Sequence, residues 1–82
     1  MGAAGVLAYV LIQTEVGHAS LVAREAAAIT GVSSAEPVTG NYDVIVRAEA
    51  ASLDELGRLV VSRLQLIEGI TRTLTCPVVD LG

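Results

Sequence analysis

The stretch Val38-Thr39-Gly40-Asn41-Tyr42-Asp43-Val44-Ile45-Val46 decides how the rest of the chain must fold. Its glycine and asparagine accept positive φ at little cost, which marks a reversal between two strands. The strand before it runs from Val32 to Thr39, with Pro37 near its end. Proline lacks the ladder donor, so this strand is expected at a sheet edge. The strand after it runs from Tyr42 to Ala50 around the apolar centre Val44-Ile45-Val46. The segments on either side of this hairpin echo each other.

Upstream, Val6 to Thr14 is nearly continuous apolar sequence, the mark of a strand covered on both faces. Glu15-Val16-Gly17 breaks it. From His18 to Ile29 the period changes, with Ala19, Val22, Ala26 and Ile29 at steps of three and four. This spacing predicts an amphipathic helix, stopped by Thr30-Gly31. Downstream, Ser52-Leu53-Asp54-Glu55 is a capping box that opens a second helix. Leu53, Leu56, Leu59, Val60, Leu64 and Ile67 form its apolar stripe; Glu55, Arg58, Ser62 and Gln65 form the polar one. Asp54 and Arg58 stand in the favourable i, i+4 order. Gly57 lies inside this helix at a cost of roughly 1 kcal/mol, and both close packing and plain tolerance would account for it. Glu68-Gly69 ends the helix, and Ile70 to Leu81 supplies a fourth strand in which Pro77 marks an edge or an unpaired end.

The order is β-α-β-β-α-β, with matching boundaries at Gly31-Val32 and Gly69-Ile70. Two βαβ-like halves joined by a hairpin make an α+β, ferredoxin-like domain, in which helices cover one face of a four-stranded antiparallel sheet. The first and third strands carry apolar side chains on both sides, yet the helices serve only one. Leaving several hundred Å² of the other face wet would forfeit on the order of 10 kcal/mol. Stacking it on the same face of a second copy removes that loss, so the expected unit is a homodimer in the form of an α/β barrel around a two-fold axis.

Composition agrees. The chain has 82 residues, 52% apolar and 17% charged, which is room for one core and a surplus of apolar side chains. Five basic residues, all arginine and scattered, face nine acidic ones. That balance gives no basic face for phosphates, so direct nucleic-acid binding is not expected. The single cysteine, Cys76, has no partner for a disulfide or metal site and reads as a small buried side chain in a reducing compartment. The apolar run from Ala3 to Ile12 lacks the basic start of a signal peptide and is too short to span a bilayer. Met1-Gly2 hints at myristoylation, but Val6 stands where Ser or Thr is wanted. A cytoplasmic chain that needs no membrane is expected.

The segment from Val38 to Val46 resembles the effector-binding (RAM) domain of the Lrp/AsnC transcriptional regulators, which carries a glycine, two variable residues and an aspartate ahead of an apolar strand. Leu53 to Leu66 looks like that family's second helix. Glu68-Gly69-Ile70-Thr71-Arg72-Thr73-Leu74-Thr75 looks like its approach to the last strand, with the Thr-x-Thr pattern. The likeness covers essentially the whole chain. Two departures stand out: the family's N-terminal winged helix-turn-helix is absent, and Asn41 occupies a position often acidic or basic. The resemblance implies a single ligand-binding domain over residues 1–82 without its own DNA reader. It also implies dimers that assemble further, as in an octamer, with amino acids or related metabolites held at the contacts between dimers. A full-length Lrp/AsnC regulator is then a possible partner.

On that footing the candidate ligand-binding residues are Thr39, Gly40, Asn41, Tyr42, Asp43, Thr73 and Thr75. A glycine turn aims backbone N–H groups at a carboxylate, and Asp43 answers an ammonium group. Ordinary hairpin chemistry accounts for the same residues, with Asp43 bonding nearby backbone. Thr73 and Thr75 share one face of a strand, as threonines in strands often do. Tyr9 reads as packing, the lone His18 as a solvated residue at a helix start, and Arg72 as an exposed charge or an interface partner. No catalytic residue, metal ligand or cofactor is expected. Small dimeric α/β-barrel enzymes of monooxygenase or isomerase type share the plan, and so does a ligand-free oligomerisation unit. The strand interiors here are Val, Leu and Ile, with no positioned acid–base pair.

Overall fold

The computed structural model describes residues 5–79; the expectations that fall on residues 1–4 and 80–82 lie outside it. The central strand β1, Val6–Thr14, buries Ala8, Val10 and Ile12 completely, while Tyr9 on the opposite side stays 40% exposed. A tight turn at Gly17, φ 86°, leads to helix α1, Ala19–Ala27. The apolar steps place Val22, Ala23 and Ala26 against the sheet. α1 stops short of the expected Ile29, because the N–H groups of Ala28 and Ile29 bond carbonyls three residues back, at 3.2 and 3.1 Å. That 3₁₀-type tightening closes the helix two residues early.

Strand β2, Val32–Pro37, and strand β3, Val44–Ala50, are both shorter than their sequence pattern at the connection. The predicted tight hairpin is a six-residue loop, residues 38–43, clamped by the Val38 N–H on the Asp43 carbonyl at 2.8 Å. Only Gly40 takes positive φ, 131°; Asn41 does not. Tyr42 and Asp43, expected inside the strand, belong to the loop.

Helix α2, Leu53–Ser62, starts at Ser52, whose hydroxyl accepts the Glu55 N–H at 3.1 Å, the serine half of the capping box. Arg63 leaves helical geometry (φ −123°, ψ −56°), and a 3₁₀ turn, Leu64–Leu66, replaces the expected run to Ile67. Leu64 is nonetheless fully buried, so the apolar period survives the change of backbone. Asp54 and Arg58 do not close to ion-pair distance; among the described residues the ion pair is Arg47–Glu49. Strand β4, Ile70–Pro77, completes a sheet in the order β2-β3-β1-β4, all neighbours antiparallel. Both proline-ended strands are thus edges, as their missing donors required.

The repeat between halves has a physical counterpart. Gly31 and Gly69 both sit at φ 100°, and each meets the other half. A Cβ on Gly31 would lie 2.6 Å from Leu59 of α2, and one on Gly69 would lie 2.9 Å from the His18 ring. His18 is therefore a half-buried packing residue against Gly69, not the freely solvated one expected.

The core is Ala, Val, Ile and Leu only, with no buried polar side chain among the described residues. All of it lies between the helices and one sheet face. The other face is bare: Ile45, Leu11 and Leu74 form one row across it, and Arg47, Tyr9 and Cys76 form the next. Cys76 is exposed there, which corrects its reading as a buried side chain.

Candidate functional site

The end of β1 at Ile12–Thr14 organises the predicted ligand residues. The Asp43 N–H donates to the Ile12 carbonyl at 2.8 Å, and the Thr14 N–H donates to Asp43 Oδ2, also at 2.8 Å. Asp43 thus caps the strand end with one carboxylate oxygen, as ordinary hairpin chemistry would have it, and Oδ1 has no partner among the described residues. Gln13 Nε2 donates to the Asn41 carbonyl at 2.9 Å and ties down the loop tip. Between the clamp at Val38 and the bond at Asp43, the N–H groups of Thr39, Gly40, Asn41 and Tyr42 find no acceptor among the described residues. Thr39, Gly40 and Asn41 are exposed, while Tyr42 and Asp43 are half-buried. One short loop therefore offers both a fixed carboxylate oxygen and a set of free backbone donors.

Thr73 and Thr75 lie on the other side of β1. They pair with Ile12 and Val10 and so share the helix-covered face, as their spacing predicts. β1 separates them from the loop, so Thr73 and Asp43 stand two strands apart, about 10 Å. Thr75 is two residues, about 7 Å, further from the loop end. The Thr73 hydroxyl accepts from Gln65 Nε2 at 2.9 Å. Beside this bond an open cavity of about 300 Å³ is lined by Gln65, Ile70, Thr71, Arg72 and Thr73. One chain therefore does not bring all seven predicted residues around one small molecule. A larger hollow, about 500 Å³, lies at the far end of β1 between Gly5 and Glu49, and its one carboxylate is already paired with Arg47.

Four residues of this region escaped sequence reasoning: Gln13, Thr14, Gln65 and Thr71. Thr71 donates its hydroxyl to the Gln13 carbonyl at 3.2 Å, so Gln13 touches the loop with its side chain and β4 with its backbone. The signal was present in the polar Gln13-Thr14 pair that ends an apolar run, but the run's end alone explained it.

Comparison with known proteins follows the same outline. Residues 7–80 match the sequence profile of the Lrp/AsnC ligand binding domain. An uncharacterized HTH-type transcriptional regulator of Pyrococcus furiosus is 35% identical over 54 residues, which are 66% of this chain and 36% of that protein. The chain thus spans just over a third (36%) of the length of the curated relatives it matches. A hypothetical protein of Pyrococcus horikoshii, 28% identical, superposes with a TM-score of 0.84 over 92% of this chain and 90% of its own. A Neisseria meningitidis transcriptional regulator, solved as a complex with L-Met, shares the fold at 17% identity, TM-score 0.80, over 93% of this chain and 51% of its own. Profile and fold coincide along nearly the whole described chain and the relatives along 66% of the chain, which belongs to the Lrp/AsnC ligand binding domain family.

Proposed function

We propose that this domain binds an amino acid or related small metabolite without transforming it, and passes that occupancy to a transcriptional regulator through its assembly state. The observation that carries the reading is the loop of residues 38–43. A zwitterionic amino acid needs an anion for its ammonium group and donors for its carboxylate. Asp43 Oδ1 supplies the first, and the free N–H groups of residues 39–42 supply the second. The Neisseria regulator, built on the same fold, was solved as a complex with L-Met, which gives an amino-acid ligand a precedent in another protein.

The proposal includes self-association. Tyr9 and Leu74 are 40% and 45% exposed on the bare sheet face, beside the half-buried Leu11 and Ile45. Two copies pair by stacking these faces into a dimeric α/β barrel, and dimers assemble further, as in an octamer. The loop of one subunit and the Thr73–Thr75 side of another then complete the site that β1 divides within one chain. The same faces admit a full-length Lrp/AsnC regulator as a partner, and DNA contact falls to that partner. A cytoplasmic setting suits this role.

Thermal-shift measurements with the twenty amino acids, run beside light scattering, test the reading. A true ligand at about a hundred times its dissociation constant adds roughly 2.7 kcal/mol of stability. The shift should vanish in Asp43→Ala and persist in a substitution at the far hollow, such as Ala51→Ser. An assembled protein that responds to none of the amino acids would count instead for a structural oligomerisation unit.

A further inference from the structure

Arg47 is out of place on an apolar interface. It sits on β3, one of the two central strands of the sheet, and its cross-strand neighbour on the bare face is Tyr9. Full stacking of two four-stranded sheets covers the central strands first, so a charge here is the one most certain to be taken out of water. Its guanidinium is only partly spent. Nη1 donates to Ser33 Oγ and to Glu49 Oε2, both at 3.1 Å, while Nε and Nη2 have no partner among the described residues. The side chains of Arg47 and Glu49 are 40% and 56% exposed in the single chain. As a surface pair they contribute little to stability. Once covered, an arginine with unspent donors is costly unless the covering surface provides acceptors.

We infer that Arg47, held by Glu49, selects the orientation in which a second copy of this chain docks, by requiring a carboxylate from that copy opposite its free Nε and Nη2. This rests on the open-face dimer proposed above. Glu49 and Glu36 are the acids that the register places on this face, so a second copy carries the required answer. A copy docked in another orientation would set apolar positions of its open face opposite Arg47 and leave the guanidinium unanswered. Positive and negative charges two residues apart on one strand are self-complementary when a copy of that strand runs the opposite way.

Sedimentation velocity over a concentration series, with circular dichroism to verify folding, decides the matter. Arg47→Glu should raise the dimer dissociation constant about tenfold or more, and the exchanged pair Arg47→Glu/Glu49→Arg should restore it to within about threefold of the original. An Arg47→Glu dimer as tight as the parent overturns the inference, and so does an exchanged pair no tighter than Arg47→Glu alone. If Arg47→Glu does not fold, Arg47→Met takes its place: the same weakening supports the inference and an unchanged constant overturns it. Leu74→Arg separates the underlying reading, because it should dissociate the dimer whatever Arg47 does. A Leu74→Arg dimer that persists shows that the interface lies elsewhere, a failure of the open-face dimer itself.

Discussion

An alanine at Gly57 would place its methyl group in open space, since apart from its chain neighbours and the helix's own backbone no heavy atom of the described residues lies within 4 Å of a Cβ built there. Of the two explanations for a glycine inside α2, close packing is thereby removed and tolerance remains. Gly57→Ala should then stabilise the domain by about 1 kcal/mol, the helix-propensity difference, or about 5 °C in melting temperature for a domain of this size. Gly31 is the contrasting case. Its φ of 100° is strained for any side chain, and a Cβ would press to 2.6 Å from Leu59 and 3.2 Å from the Glu49 carbonyl. Gly31→Ala should cost roughly 2 kcal/mol or more. Paired melts of the two variants check both signs, and a Gly57→Ala chain that loses stability would show that this helix face is covered in the assembled protein. At this scale the sequence was legible in kind but not in detail. The glycine of Gly40-Asn41 does take positive φ, yet the asparagine beside it does not, because the six-residue loop needs only one left-handed position.

Among the elements, α2 was the most legible, and its start depends on one hydroxyl. Ser52→Ala removes the acceptor for the Glu55 N–H and should cost about 1 kcal/mol, while Ser52→Asp should hold the stability near the parent's. Chemical denaturation of the two variants reads this directly, and a Ser52→Ala chain as stable as the parent would mean that the cap contributes nothing. Its end was read past the true limit because hydrophobic period reports burial, not backbone type. Leu64 keeps its place in the core through a 3₁₀ turn that a stripe of leucines cannot distinguish from α-helix. The strands beside the loop were over-read for a related reason. Thr39 and Tyr42 favour extended backbone, but the Val38–Asp43 clamp closes the ladder before either can join it. The candidate site suffered most. Sequence spacing put Thr73 and Thr75 on one face correctly, yet nothing local reveals that β1 runs between them and Asp43. That separation is a property of the strand order, which becomes visible only when the whole sheet is assembled.

For the molecule as a whole, the imbalance foreseen from the apolar run of β1 is present in the fold. Ala8, Val10 and Ile12 are sealed beneath the helices, while Tyr9 and Leu74 on the reverse side face outward together with the exposed Cys76. The sealed core consists of small aliphatic side chains without a single aromatic ring, so little stability is in reserve inside one subunit. In the proposed dimer, burial between subunits makes up much of the total, and folding is then linked to association. Linkage has a measurable signature: the melting temperature must rise with protein concentration. For a dimer that unfolds as it dissociates, a hundredfold increase in concentration adds roughly 2.7 kcal/mol per dimer, about half of that per chain. At the usual sensitivity of small domains this raises the melting temperature by about 5 °C or more. Calorimetry on dilute and concentrated samples should resolve such a rise, and Leu74→Arg should both lower the melting temperature and flatten its dependence on concentration. A constant melting temperature across that range, with one chain's mass in scattering, would mean that a face rich in leucine and tyrosine is stable in water by itself, and the site divided by β1 would lose the second subunit that completes it.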